Sequence, residues 1–271
     1  MKIAITGATG KLGRLVVRQL LYRTPPHNIA VSVRRPEAAR RLAEQGVAVR
    51  YGDYDDPGSL EKSFAGAQKL LLISSSHPDD TVRFRQHTAA IDAARRAGVA
   101  HIAYTSIAFA EKGRLPLHRL HLKTELAIRE SGIPYTILRN AYYMDVIHFL
   151  RVREALASGV LLSPPGEWAF NTASREDLGE AAAAVLTEEG HGNRVYELTS
   201  PRTWNLDELA RALSAASGRR VIHRSDPAAV NEIFKLLPCS DMKSVSPDLE
   251  RLIGHSPRTV EEEVRLMIEP H

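Results

Sequence analysis

Ile3-Ala4-Ile5-Thr6-Gly7-Ala8-Thr9-Gly10-Lys11-Leu12-Gly13 decides how the rest of this 271-residue chain is read. Three apolar residues make a short buried strand. Glycines at 7, 10 and 13 interrupt it, and Leu12, Leu15, Val16 and Leu20 then mark one face of a helix. Each glycine in such a turn has its own use. The first permits the tight bend, the second lets backbone approach a pyrophosphate, and the third lets the helix lie close to the sheet. Amides at the helix start face the phosphates. Gly7, Ala8, Thr9, Gly10, Lys11, Leu12 and Gly13 are therefore the expected dinucleotide-binding residues.

Outward from this turn, strands are expected at 29–33, 47–51, 70–73, 101–104 and 135–138. They alternate with helices at 11–23, 37–45, 57–64, a long segment ending at Ala97, and 117–130. Such alternation builds a parallel sheet, because each crossover must return to the same end. Leu70-Leu71-Leu72-Ile73 suits a strand covered on both faces. Beyond Asn140 the pattern predicts helices at 144–157, 174–186 and 203–217, the last closed by Gly218, and strands at 195–198 and 221–223. The expected fold is α/β, a Rossmann-type doubly wound parallel sheet with a small C-terminal α/β lobe. Residues 1–140 would form the dinucleotide-binding domain, with 172–199 packing back onto it. Residues 141–171 and 200–271 would form the substrate-side lobe.

The second strand ends in Ser32-Val33-Arg34-Arg35-Pro36 and meets no acid until Glu37. A site for NAD usually has an acid there for the ribose 2′-hydroxyl, whereas an arginine suits a 2′-phosphate through paired, charge-assisted hydrogen bonds. NADP(H) is the expected cofactor, with Arg34 the first choice and Arg35 its neighbour. After the third strand, Asp53 is a candidate acceptor for the adenine amino group. Asp55 and Asp56 read as caps for the helix that Pro57 opens.

Thirty-six Lys and Arg are interspersed with 32 Asp and Glu, giving a formal charge of +4. The excess is spread thinly and does not interleave with aromatics, so nucleic acid is not an expected partner. A single cysteine, Cys239, excludes an intrachain disulfide, and no Cys/His set has zinc spacing. No apolar run is long enough for membrane insertion, and the chain passes directly from Met1-Lys2 into its first strand. A cytoplasmic protein is expected, and a homo-oligomer is left open.

Residues 3–10, Leu-Leu-Leu-Ile-Ser-Ser-Ser at 70–76, Ile-Ala-Tyr-Thr-Ser at 102–106, Tyr-Thr-Ile-Leu-Arg-Asn at 135–140 and Val-Tyr-Glu-Leu at 195–198 together resemble the NmrA-like branch of the atypical short-chain dehydrogenases/reductases. Within that branch the chain is most similar to the bacterial NAD(P)H:quinone oxidoreductases of type 2. The resemblance spans nearly the whole chain. It implies that Ser74, Ser75 and Ser76 line the ribose and nicotinamide side. It also implies that Asn140, Ala141, Tyr142 and Tyr143, with Thr172, Ser174 and Arg175, close the cleft. Three departures fall on the acceptor side of the motif pattern: Leu126 where a lysine is usual, Ala141-Tyr142-Tyr143, and a shortened stretch at 237–246.

None of the eight tyrosines has lysine four positions later. The tyrosine–lysine pair that serves most such reductases as proton shuttle is missing. That absence suits an electrophilic acceptor such as a quinone, and suits a non-catalytic NADP(H)-binding redox sensor equally well. A reductase of conjugated dyes would share the hydride step. His121, with His118 three residues before it and Glu125 four after, is the candidate proton donor. Trp168 and Phe170 are candidates to wall the pocket, and no metal is expected.

Overall fold

The computed structural model describes residues 2–269. Its first half runs β1 (Ile3–Thr6), α1 (Lys11–Arg23), β2 (Ile29–Val33), α2 (Arg40–Glu44), β3 (Ala48–Tyr51), α3 (Pro57–Phe64), β4 (Lys69–Leu72), α4 (Asp80–Arg96), β5 (His101–Ile107), α5 (Pro116–Glu130) and β6 (Tyr135–Asn140). There follow β7 (Tyr142–Tyr143), α6 (Val152–Ser158), β8 (Val160–Ser163), β9 (Ala169–Phe170), β10 (Thr172–Ala173), α7 (Arg175–Thr187) and β11 (Arg194–Leu198). The chain ends with β12 (Trp204–Asn205), α8 (Leu206–Ser217), β13 (Ile222–Ser225), α9 (Glu232–Leu236), α10 (Asp248–Ile253) and α11 (Val260–Ile268).

Seven strands form one sheet in the order β11-β6-β5-β4-β1-β2-β3. Every pairing in it is parallel. Ile3, Ala4 and Ile5 are fully buried, as are Leu70, Leu71 and Leu72. That explains why these strands carry apolar residues on both faces instead of alternating. α1 and α7 pack together on one face over Val16, Leu20, Ala182 and Val185, while α3 and α4 cover the other over Phe64, Ala90 and Ile91. The strand order reverses between β1 and β4, and a ligand crevice is expected there, outside the carboxyl ends of the strands.

The lobe has its own core, in which Met144, Ile147, Leu150, Phe170, Trp204, Leu209 and Val264 meet. Phe170 stacks on Trp204 with ring centroids 4.4 Å apart. Trp168 packs on Phe234 and donates Nε1–H to the Pro164 carbonyl at 2.8 Å. Both aromatics expected to wall the pocket serve this core instead.

Local signals behave as their chemistry demands. Asp56 accepts from the Ser59 amide at 3.2 Å and caps α3. Asp55, also expected to cap, pairs with Arg85 at 2.7 Å. Gly218 closes α8 at φ 67, where a side chain would be strained. The helix expected at 37–45 is only half α-helical, since 36–39 takes the tighter 3₁₀ form. Among the described residues no helix is long and apolar enough to cross a membrane.

Candidate active site

Gly7 adopts φ 62 and turns the chain out of β1, and the Gly10 amide donates back to the Gly7 carbonyl at 3.0 Å. Thr6 ties this turn to β4. Its hydroxyl donates to the Leu71 carbonyl at 3.2 Å, and its oxygen receives the Ile73 amide at 2.9 Å. The Tyr54 hydroxyl lies 2.7 Å from the same oxygen.

Around this clasp opens a cavity of about 480 Å³. Gly7, Thr9, Gly10, Lys11, Leu12 and Gly13 floor it, Arg34, Arg35 and Asp53 stand at one end, and Ser74, Ser75 and Ser76 stand at the other. Ala8, also expected to bind the cofactor, is buried beneath the turn and contributes packing. Glu37 does not reach the cavity, whereas Arg34 and Arg35 line it at the β2 end. Nearby Arg40 is taken by Glu44 at 2.9 Å, whereas no acid among the described residues pairs with Arg34 or Arg35. The Asp53 carboxylate accepts the Asp55 amide at 3.1 Å, which keeps one oxygen engaged locally.

The cavity fits a dinucleotide by a test internal to the backbone. A Cβ on Gly13 would stand 2.2 Å from the Gly7 oxygen, and one on Gly10 would stand 3.2 Å from it. The turn can close this tightly only because position 13 is glycine, while position 10 leaves a side chain little room.

Asn140, Ala141, Tyr142, Tyr143, Thr172, Ser174 and Arg175 do not line this cavity. They form a neighbouring wall, in which β7 pairs with β10. Within it Ser174 caps α7 by accepting from the Asp177 amide at 3.0 Å. Thr172 is buried and receives the Trp204 indole N–H at 2.9 Å. Their side chains are thus engaged in holding the wall. The Arg175 guanidinium lies over the Tyr143 ring at 4.0 Å and pairs with Asp145. Asp145 also faces Lys11 at 3.8 Å, so charge links the wall to the glycine turn. A further strap crosses at 237–244: Tyr142 bonds the Ser240 hydroxyl at 2.7 Å, and Arg114 donates its amide to the Cys239 carbonyl at 2.8 Å.

His121 does not face the cavity. It is 5% exposed, and its Nδ1 lies 2.8 Å from the Tyr104 hydroxyl. Burial, with Arg83 and His87 nearby, holds its pKa well below the usual histidine value. Glu125 does not partner it either, binding Ser106 and Arg139 instead. Lys123 is exposed, and Leu126, at 55% exposure, sits on the outer face of α5, so that departure leaves the cleft untouched. Among the described residues no group of three or more His, Cys, Asp or Glu is placed to hold a metal.

Sequence reasoning missed Tyr54, Asp55 and Gln86, all of which line the cavity. A signal existed for Gln86: it is a polar residue on the buried face of a helix that follows a serine turn.

Buried and half-buried histidines set an acid limit on the fold. Burial lowers His87 to about 3 and His101 to about 4, and pushes His121 down as well. A histidine held neutral in the fold but free to charge when unfolded makes the unfolded chain bind more protons. Stability is then lost as pH falls below about 6.5 and keeps falling until the folded pKa is reached. His255, raised by the Ser256 carbonyl and Glu180, opposes this weakly from the surface. Melting temperature should fall steadily from pH 6.5 to 4.5, before most carboxylates titrate. A flat profile in that window would show that these histidines are not held neutral.

The NmrA-like family model matches residues 1–247. Quinone oxidoreductase 2 of Escherichia coli strain K12 is 39% identical, with 97% of each chain covered. The structure of Citrobacter sp. triphenylmethane reductase complexed with NADP(H) is 44% identical, with a TM-score of 0.90 over 98% of this chain and 99% of that one. The NADPH complex of the E. coli quinone oxidoreductase superposes with a TM-score of 0.88 at 36% identity, covering 98% of this chain and 100% of that one. With a glycine-cradled crevice at the reversal of a seven-stranded parallel sheet and these relatives along its length, the chain belongs to the NmrA-like family.

Proposed function

We propose that this protein is an NADPH-dependent oxidoreductase that passes hydride to a quinone or a similarly flat conjugated electrophile. One observation carries it: the glycine-floored cavity ends at Arg34 and Arg35, and no acid among the described residues pairs with either guanidinium. When bound, the reduced nicotinamide supplies the hydride from its C4. The chain's own residues bind and orient. Amides of the 7–13 turn hold the diphosphate, Arg34 with Arg35 grips the 2′-phosphate, and the serines of 74–76 meet the ribose and nicotinamide half. Asn140 to Tyr143 and the β10–α7 junction wall the acceptor side. His121, sealed against Tyr104, leaves water as the proton source for the reduced acceptor. The sensor alternative has less support, because relatives covering the full chain are named as a quinone oxidoreductase and a dye reductase. The same reading puts the enzyme in the cytoplasm, with a small-molecule acceptor as its partner and no nucleic acid.

The test is loss of reduced-nicotinamide absorbance with a panel of quinones and triphenylmethane dyes, run on wild type and Arg34→Ala. Turnover with at least one acceptor is expected. Arg34→Ala should raise the KM for NADPH about tenfold, as loss of a charge-assisted contact implies, and leave that for NADH unchanged. Tight NADPH binding without turnover of any acceptor would remove the enzymatic reading. Equal KM values for NADPH in both proteins would remove Arg34 from the site.

A further inference from the structure

The segment 73–77 between β4 and α4 has no regular secondary structure, yet it supplies one end of the cavity. Something other than a backbone ladder must set its shape. Three side chains on one face of α4, spaced i, i+3 and i+4, all reach it. Arg83 donates Nη2–H to the Ser74 hydroxyl at 2.9 Å. Gln86 accepts the Ser75 hydroxyl through Oε1 and donates Nε2–H to Asp55 at 3.0 Å. His87 accepts the Ser75 backbone amide on Nε2 at 2.9 Å.

The histidine is the centre of this set, because its tautomer is dictated from both sides. An amide can only donate, so Nε2 carries no hydrogen. Nδ1 lies 3.0 Å from the Thr124 oxygen, and the Thr124 hydroxyl already donates to the Leu120 carbonyl at 3.0 Å. Nδ1 therefore carries the hydrogen and donates. His87 and Thr124 are both fully buried, so no water competes. Burial, with the Arg83 charge close by, keeps the ring neutral at any working pH. The ring is a fixed strut from α5 through α4 to the Ser75 amide.

We propose that His87 is a positioning residue for the cofactor: as its Nδ1–H tautomer it fixes the Ser74–Ser75 backbone at the geometry NADPH binding requires. This rests on the reading that the 74–76 turn meets the cofactor. Neither His87 nor its neighbour Gln86 needs to touch NADPH for the effect. Removing the ring leaves the Ser75 amide buried without an acceptor, and the turn must move to satisfy it.

The experiment compares wild type, His87→Leu and His87→Gln by NADPH titration, steady-state kinetics and thermal melting. The glutamine carbonyl can stand where Nε2 stood and accept the same amide. His87→Leu is expected to raise the dissociation constant and KM for NADPH about tenfold, with kcat at saturating NADPH changed by less than about threefold. His87→Gln should recover most of that loss. A general weakening of the fold would lower both melting temperatures without a KM effect that glutamine rescues. Unchanged KM in folded His87→Leu, or equal losses in both variants, overturns the proposal while leaving the cofactor assignment standing. Failure of wild type to bind NADPH overturns both together. Should His87→Leu not fold, Thr124→Val removes the acceptor of Nδ1–H, together with a hydroxyl bond to the Leu120 carbonyl inside α5, and leaves the ring in place; a KM increase of about threefold supports the strut, and none overturns it.

Discussion

Gly13→Ala is expected to weaken NADPH binding about a hundredfold, through a single methyl group that never meets the ligand. The new Cβ would lie 2.2 Å from the Gly7 oxygen and 2.7 Å from the Ala8 Cα. Both are backbone atoms, so no side chain can swing aside. α1 cannot retreat, because Leu12, Val16, Val17 and Leu20 are buried against the sheet and α7. The turn must therefore move, and with it the amides that would face the diphosphate. Displacing a binding array by about an ångström is enough for a loss of this size. Gly10→Ala, whose Cβ would lie 3.2 Å from the same oxygen, should lose distinctly less. Isothermal titration with NADPH checks both. Wild-type affinity in a folded Gly13→Ala protein would mean that this turn does not bind the phosphates.

Arg139→Leu is expected to destabilise the fold by about 3–5 kcal/mol, the range for removing one partner of a buried charge cluster. The guanidinium uses all five of its N–H donors. Nε and Nη2 grip Glu125 at 2.9 and 2.7 Å, Nη1 and Nη2 grip Glu111 at 2.9 and 2.6 Å, and Nη1 also reaches Glu197 at 2.9 Å. Arg139 is 7% exposed and Glu125 3%, so removal strands a desolvated carboxylate. Burial already holds the Glu197 carboxyl above its usual value despite the arginine's pull. Without the arginine the acids should take up protons, and the variant should recover part of its stability as pH is lowered. Arg139→Lys should rescue little, since an ammonium cannot serve two forks. Melting temperature should drop by about 10 °C or more at neutral pH. A drop of only a degree or two would show that water reaches the cluster. The effect would extend to the turn after β5, because Glu197 accepts the Phe109 amide at 2.8 Å and holds a residue whose φ is 48.

The middle of the sheet was legible in the sequence because strands such as β1, β2 and β4 are buried on both faces, so burial leaves an unbroken apolar run. The glycine turn was legible because its backbone tolerates no Cβ. The lobe was harder. Residues 144–157 read as one helix, but Met144–Leu150 is 3₁₀ and Arg151, at φ 54, separates it from α6. Met144, Ile147 and Leu150 are all buried at a spacing of three, the period of a 3₁₀ turn, and that spacing also suits a helix. Strands of two residues such as β7, β9, β10 and β12 leave no periodicity to detect. The site shows the same division. Residues whose backbone matters, Gly7 to Gly13, could be located from spacing. Residues whose side chains matter depended on which way a helix faced: His121 turned inward to Tyr104, while Gln86, passed over, reached the cavity.

The sheet takes its edge strand from late in the chain. β11 pairs with β6 in register from Arg194↔Thr136 to Leu198↔Asn140, so the β6 edge stays unclosed until the ribosome has delivered residue 198. A nascent chain paused earlier would offer the amides and carbonyls of an apolar strand to any neighbour, the circumstance in which unfinished sheets join edge to edge. Translation speed across the intervening stretch, and chaperone cover while it is made, would then govern how much enzyme a cell recovers, quite apart from how stable the finished molecule is.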